Sequence, residues 1–142
     1  MCGNGGCPGA EIRPEAINFK KNKMKKTVVL GATDNPSRYA YLAANKLKRF
    51  GHQVVPVGLR HGEVAGEKII TDKSPVEDVD TVTLYVGSRN LHHWYDYILS
   101  LKPSRIIFNP GTENEELVQK AKAADIETVY GCTLVMLSSG EY

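Results

Sequence analysis

Thr27-Val28-Val29-Leu30-Gly31-Ala32-Thr33-Asp34-Asn35-Pro36-Ser37-Arg38 reads as a strand, a turn and the start of a helix. An apolar, β-branched run of this kind suits a parallel strand buried on both faces. Gly31 follows it directly, where the backbone must turn and can come close to a ligand. Thr33, Asp34, Asn35 and Ser37 are each suited to cap the helix that follows. A helix starting there directs free N–H groups and the positive end of its dipole at whatever sits above Gly31, which suits phosphate.

Outward from this unit the pattern repeats. Tyr39, Leu42, Ala43, Leu47 and Phe50 recur at the spacing of a helix packed on a sheet, with Gly51 placed to end it. His52–Val57 reads as a second strand with the loop Gly58–Glu63 at its carboxyl end. A short strand is expected around Lys68–Ile70, then a weak helical turn over Ser74–Asp78. Thr81–Val86 is the clearest strand in the chain. Gly87–Asn90 opens a helix carrying Leu91, Tyr95 and Ile98 on one face, which Lys102-Pro103 stops. Arg105–Phe108 is a further strand, followed by Asn109–Thr112 and a helix with Leu117, Val118, Ala121 and Ala124. Glu127–Tyr130 is the last strand and runs into Gly131–Val135. Strands alternating with helices at short spacing predict an α/β fold, a doubly wound parallel sheet of Rossmann-like, three-layer form. Ligands in that fold bind beyond the carboxyl ends of the strands, where the strand order reverses.

Composition bounds the rest. A chain of 142 residues, 42% hydrophobic and 24% charged, fits one ordinary globular domain. No apolar run reaches the length of a membrane span, and no secretory signal is visible. Three scattered cysteines make no disulfide framework, so a cytoplasmic location is expected. The net charge of +2 conceals an asymmetry: residues 1–26 hold six basic and two acidic side chains, leaving a slightly acidic remainder. A nucleic-acid partner is therefore not expected. Residues 1–25, rich in glycine and then in lysine, read as a disordered extension, and 26–142 as the folded domain. Cys2 and Cys7 lack a second ligand pair at zinc spacing.

A dinucleotide is the first ligand to test. The first turn has one glycine rather than three, and Pro56-Val57-Gly58 stands where an acid would bind ribose hydroxyls, so ordinary NAD binding is disfavoured. Arg60 in the next loop could meet an additional phosphate, as in NADP or in the 3′-phosphate of coenzyme A. Val29–Arg38, Val55–Val57, Gly62–Gly66, Val79–Val82 and Asn109–Thr112 together resemble the small stand-alone CoA-binding protein family. That family is similar to the nucleotide-binding domain at the start of the succinyl-CoA synthetase alpha subunit, and the resemblance spans residues 26–142. It implies coenzyme A as the cofactor. The pyrophosphate would rest on Gly31, Ala32, Thr33, Asn35, Ser37 and Arg38, with Pro56, Val57, Gly58 and Arg60 beside the adenosine. Val86, Gly87 and Arg89, with Asn109, Pro110, Gly111 and Thr112, would line the remaining groove. The corresponding segment of the synthetase subunit also carries a cysteine after its strand, which would place Cys132 near the CoA thiol, the alternative being a small buried hydrophobe. Two features depart from the family: Gly58-Leu59 replaces a frequent Asn-Pro, and Asn109 a frequent Gln.

No catalytic or metal residues are expected. His92 and His93 point in different directions on a helix, and Ser37 and Ser88 lack His and Asp partners at a recognisable spacing. The expected function is non-catalytic binding of CoA or an acyl-CoA, as a sensor, carrier, homo-oligomer or partner subunit. A small NADP-dependent oxidoreductase and an interaction module with a vestigial groove are the alternatives.

Overall fold

Thr27–Leu30 (β1), Val54–Val57 (β2), Thr81–Leu84 (β5), Arg105–Phe108 (β6) and Glu127–Tyr130 (β7) form one parallel sheet, in the order β2-β1-β5-β6-β7. The computed structural model describes residues 24–142, so the expectation for residues 1–23 lies outside the described residues. Register is continuous across the first three strands, Thr27 facing both Val54 and Thr81. β1, β5 and β6 are buried along their whole length. Their side chains alternate between two cores, as the two-residue period of a strand requires. Val28, Leu30, Val82, Leu84, Ile106 and Phe108 point to one face, Val29 and Ile107 to the other.

Helices cover both faces, which completes the expected three layers. Tyr39–Arg49 (α1) and Thr133–Ser139 (α4) pack over the Val29 face. A 3-10 turn, Leu91–Trp94, leads into Tyr95–Ser100 (α2), and these lie with Glu115–Ala123 (α3) over the other face. The Asn114 side-chain carbonyl caps α3 by accepting the Leu117 N–H at 2.9 Å. Glu115 and Glu116 in its first turn and Lys120 and Lys122 in its last complement the helix dipole.

Several local expectations are corrected. The buried stripe of α1 is Ala40, Ala43, Ala44 and Leu47. Tyr39, Leu42 and Phe50, expected on the core face, are 71%, 43% and 49% exposed. Small alanines at i, i+3 and i+4 let α1 approach the sheet more closely than the larger side chains would. Gly51 ends α1 as expected, at φ +91°, with His52 N–H donating to the Leu47 carbonyl at 3.0 Å. Ala124 caps the end of α3 instead of joining its apolar face. The strand around Lys68–Ile70 is a small hairpin, Glu63–Val64 (β3) with Glu67–Lys68 (β4), turned by Ala65 and Gly66 at positive φ. Ile70 then makes a single parallel bridge to Val57 at the sheet edge. Ser74–Asp78 forms no helix, β5 stops at Leu84, and Gly131-Cys132 leads into α4.

From β1 the chain moves to β2 on one side, and later enters β5 on the other. The loops after β1 and β5 diverge, opening a crevice at the carboxyl end of the sheet.

Candidate functional site

The crevice exists because two glycines let three chain segments meet. Gly31 has φ +97°, and a Cβ there would stand 2.9 Å from the backbone carbonyl carbon of Tyr85. At Gly58 a Cβ would lie 2.5 Å from the Ala32 carbonyl oxygen. The Val57 carbonyl accepts both the Gly31 and Ala32 N–H groups, at 2.8 and 2.9 Å. β1, β2 and β5 are thereby locked together immediately below the groove.

Above this floor the loop after β1 is organised by its own side chains. The Asn35 N–H donates to Thr33 Oγ1 at 3.1 Å, and Asn35 Oδ1 accepts from the Ser37 N–H and hydroxyl at 3.0 and 2.8 Å. These polar groups shape the loop and do not cap the helix, contrary to the expectation. Arg38 occupies the N-cap position of α1, and no side chain caps that terminus. The helix start therefore faces the groove with its dipole uncompensated.

The groove encloses about 1450 Å³, above the range of roughly 300–1,000 Å³ usual for drug-sized ligands. One wall is the Gly31–Arg38 loop, and another is Gly58–His61 with Ile69, Thr71 and Lys73. Tyr85–Gly87, Asn90, His93, Trp94 and Pro110–Thr112 complete it. Arg38, Arg60 and Lys73 bring positive charge; Asp34 is the one carboxylate among these lining residues, packed against Gly62. Burial raises the pKa of the Tyr85 phenol above its ordinary value, and its hydroxyl lies buried without a hydrogen-bond partner.

Of the residues named from the sequence, Gly31, Ala32, Thr33, Asn35, Ser37, Arg38, Gly58, Arg60, Val86, Gly87, Pro110, Gly111 and Thr112 line this groove. Five others do not. Val57 is fully buried in β2, and Pro56 lies within the same strand, its carbonyl accepting the Ile70 N–H. Arg89 is exposed on the turn before the 3-10 helix. Asn109 is a buried brace. Its amide donates to Thr83 Oγ1 at 2.7 Å and to the Leu84 carbonyl at 2.9 Å, and its oxygen accepts the Thr133 N–H at 2.8 Å. Cys132 takes the N-cap position of α4 and is half-buried.

Tyr85, Asn90, His93, Trp94, Thr71 and Lys73 line the groove without having been singled out as ligand residues. Tyr85 fell inside the strand expected over Thr81–Val86, which ends at Leu84 instead. Lys73 carried no local signal, because only the pairing of Ile70 with Val57 brings it to the carboxyl end. Among the described residues, no cluster of three or more His, Cys, Asp or Glu side chains could hold a metal ion. No helix among them is long and apolar enough to cross a membrane.

Comparison with solved structures gives this architecture relatives. A crystal structure described only as an uncharacterized protein is 57% identical, covering 84% of this chain and 99% of its own, with a TM-score of 0.83. The structure of cell-free ID.343 from Thermus thermophilus is 24% identical over 90% of this chain and 98% of its own, with a TM-score of 0.77. A hypothetical protein from Pyrococcus horikoshii OT3 is also 24% identical, covering 88% and 89%, again with a TM-score of 0.77. These last two show the shared Rossmann-like fold. A search of the curated proteins finds no match. The family model for the CoA binding domain matches residues 25–138, which contain all five strands of the sheet and every residue of the groove. The chain belongs to the CoA-binding domain family.

Proposed function

We propose that the protein binds coenzyme A or an acyl-CoA in the groove at the carboxyl end of the sheet, without transforming it, as a cytoplasmic sensor, carrier or partner subunit. The observation that carries this reading is the junction of Gly31, the uncapped start of α1 and a cationic wall containing Arg60. Backbone N–H groups at a helix start suit a diphosphate, and an arginine beyond them suits a further phosphate. Gly31–Arg38 would hold the pyrophosphate and Arg60 the 3′-phosphate. Tyr85–Gly87 and Pro110–Thr112 would flank the remaining length of the ligand.

The non-catalytic part rests on how the polar groups are engaged. The Ser37 hydroxyl donates to Asn35, and the Asn109 amide and carbonyl are both engaged in bracing the fold. Neither is free to serve as a nucleophile or to hold an oxyanion. Melting curves with saturating CoA and with NAD at equal concentration test the reading. A ligand that binds only the native state raises the melting temperature by mass action. CoA should raise it more than NAD, and an equal or larger shift with NAD would overturn the assignment.

A further inference from the structure

We propose that the outer edge of β7 is a docking surface for a second copy of this chain, which continues the sheet across a two-fold axis through Val129. This goes beyond CoA binding and does not depend on it. The two edges of the sheet are unlike. On the outer side of β2 the Gly58 N–H donates to the Ile70 carbonyl at 3.0 Å, and the Ile70 N–H to the Pro56 carbonyl at 2.9 Å. β7 closes the strand order on the other side, and among the described residues no strand pairs with its outer edge. The Glu127 and Gly131 N–H groups donate inward to the Ser104 and Phe108 carbonyls, both at 3.1 Å. Backbone groups alternate in direction along a strand, so Thr128 and Tyr130 turn their N–H and C=O groups outward. Glu127–Tyr130 contains neither proline nor lysine to blunt that edge, and Tyr130 is 55% exposed.

Charge on the adjoining helix selects the occupant. α2 joins β5 to β6 and α3 joins β6 to β7 on the same face, so α2 lies on the inner flank of α3. There Glu116 accepts from the Tyr95 hydroxyl at 3.4 Å, and the Lys120 ammonium lies 5.8 Å from the centre of the Tyr95 ring. Glu115 and Lys122, seven residues apart, share the opposite flank, and both are exposed. An antiparallel copy of α3 sets Glu115 against the partner's Lys122, and Lys122 against the partner's Glu115. Along the strand, a two-fold through Val129 sets Thr128 against the partner's Tyr130 and Val129 against the partner's Val129. The charged Glu127 then meets the partner's Gly131, which has no side chain to oppose it. Both signs of charge lie on one flank, in opposite halves of the helix. A second copy complements both at once, as a two-fold interface requires.

Sedimentation equilibrium of the full chain over a range of concentrations tests this, with circular dichroism to establish that each variant folds. The wild type should dimerise, more weakly at high salt. Thr128→Pro removes an outward N–H and leaves the bonds to β6 in place, so it should sediment as a monomer. Lys122→Glu and Glu115→Lys should each weaken the dimer about tenfold, since two attractive pairs become repulsive. Mixing these two variants should restore association, because each mixed dimer again pairs unlike charges. Both charge changes lie on the surface, and they decide the matter if Thr128→Pro does not fold. A wild type that stays monomeric, its edge covered by residues 1–23 or left open, would overturn the proposal. So would a dimer that both charge variants leave intact, or a mixture that associates no more tightly than its components.

Discussion

The two ends of the sheet both gather positive charge, and only one of them is open. At the amino end, Arg105 Nε donates to Thr81 Oγ1 and Nη1 to the Tyr142 carbonyl, both at 3.1 Å. The guanidinium also lies 4.6 Å from the centre of the Tyr142 ring. Lys25 Nζ donates to the same carbonyl, while its backbone N–H donates to His52 Nδ1 at 2.9 Å. These cations are folded into the structure. At the carboxyl end, Arg38 and Arg60 are exposed on the walls of a groove. The difference teaches that a count of cations does not find a binding site. Engagement decides, and engagement follows from which side chains can pack beside the charge.

The largest expected effect lies under the groove floor. Gly31→Val forces a side chain into the Tyr85 backbone at a positive φ, and should cost about 2–4 kcal/mol of stability in denaturant unfolding. Wild-type stability in this variant would show that the three segments are not locked there. Next, Arg60→Ala should weaken CoA by about tenfold while sparing dephospho-CoA and leaving the melting temperature nearly unchanged. A similar loss for both ligands would place Arg60 on another part of the molecule. Arg105→Met should do the reverse. Its Nη2 is buried without a partner, so removing the charge relieves a desolvation cost along with two hydrogen bonds. The net loss should be about 1 kcal/mol, with CoA affinity unchanged. An affinity loss matching that of Arg60→Ala would erase the contrast between the ends.

The smallest effect is a pH dependence at the amino end. Burial, then the nearby Lys25 and Arg105 charges, lower the pKa of His52 below its ordinary value of 6.5. The unfolded chain therefore binds the proton more readily. Stability from this group is complete above pH 6.5 and falls as the pH drops through the folded-state value. Protonation at Nδ1 would also end its acceptance of the Lys25 N–H. Melting temperatures measured between pH 7.5 and pH 5 should fall slightly less in His52→Gln than in the wild type. Identical slopes would remove His52 from the account.

The fold was legible because buried parallel strands have a distinctive composition. Thr27–Leu30, Thr81–Leu84 and Ile106–Phe108 are apolar or β-branched on both faces, and glycine or asparagine marks the ends of the five strands or the loops that follow them. The helix face of α1 was misread because alanines and large apolar residues share overlapping periodicities, and closeness of packing chose the alanines. α4 was missed, since its opening at Cys132 depends on Asn109, more than twenty residues away, accepting the Thr133 N–H. The turns of the groove were readable from local sequence. Lys73, His93 and Trp94 were not, because their place depends on long-range pairing at the sheet edge. Asn109 had the opposite fate: the family resemblance implied a place in the ligand groove, but its amide and its carbonyl brace the fold.

Amide chemical-shift mapping of the full chain during titration with CoA tests the central claim most directly. The account predicts saturable changes at Gly31–Arg38, Gly58–Arg60, Tyr85–Asn90 and Gly111-Thr112, with Lys25, His52, Arg105 and Tyr142 unmoved. Changes concentrated at the amino end, or saturation by NAD at lower concentration than CoA, would contradict it.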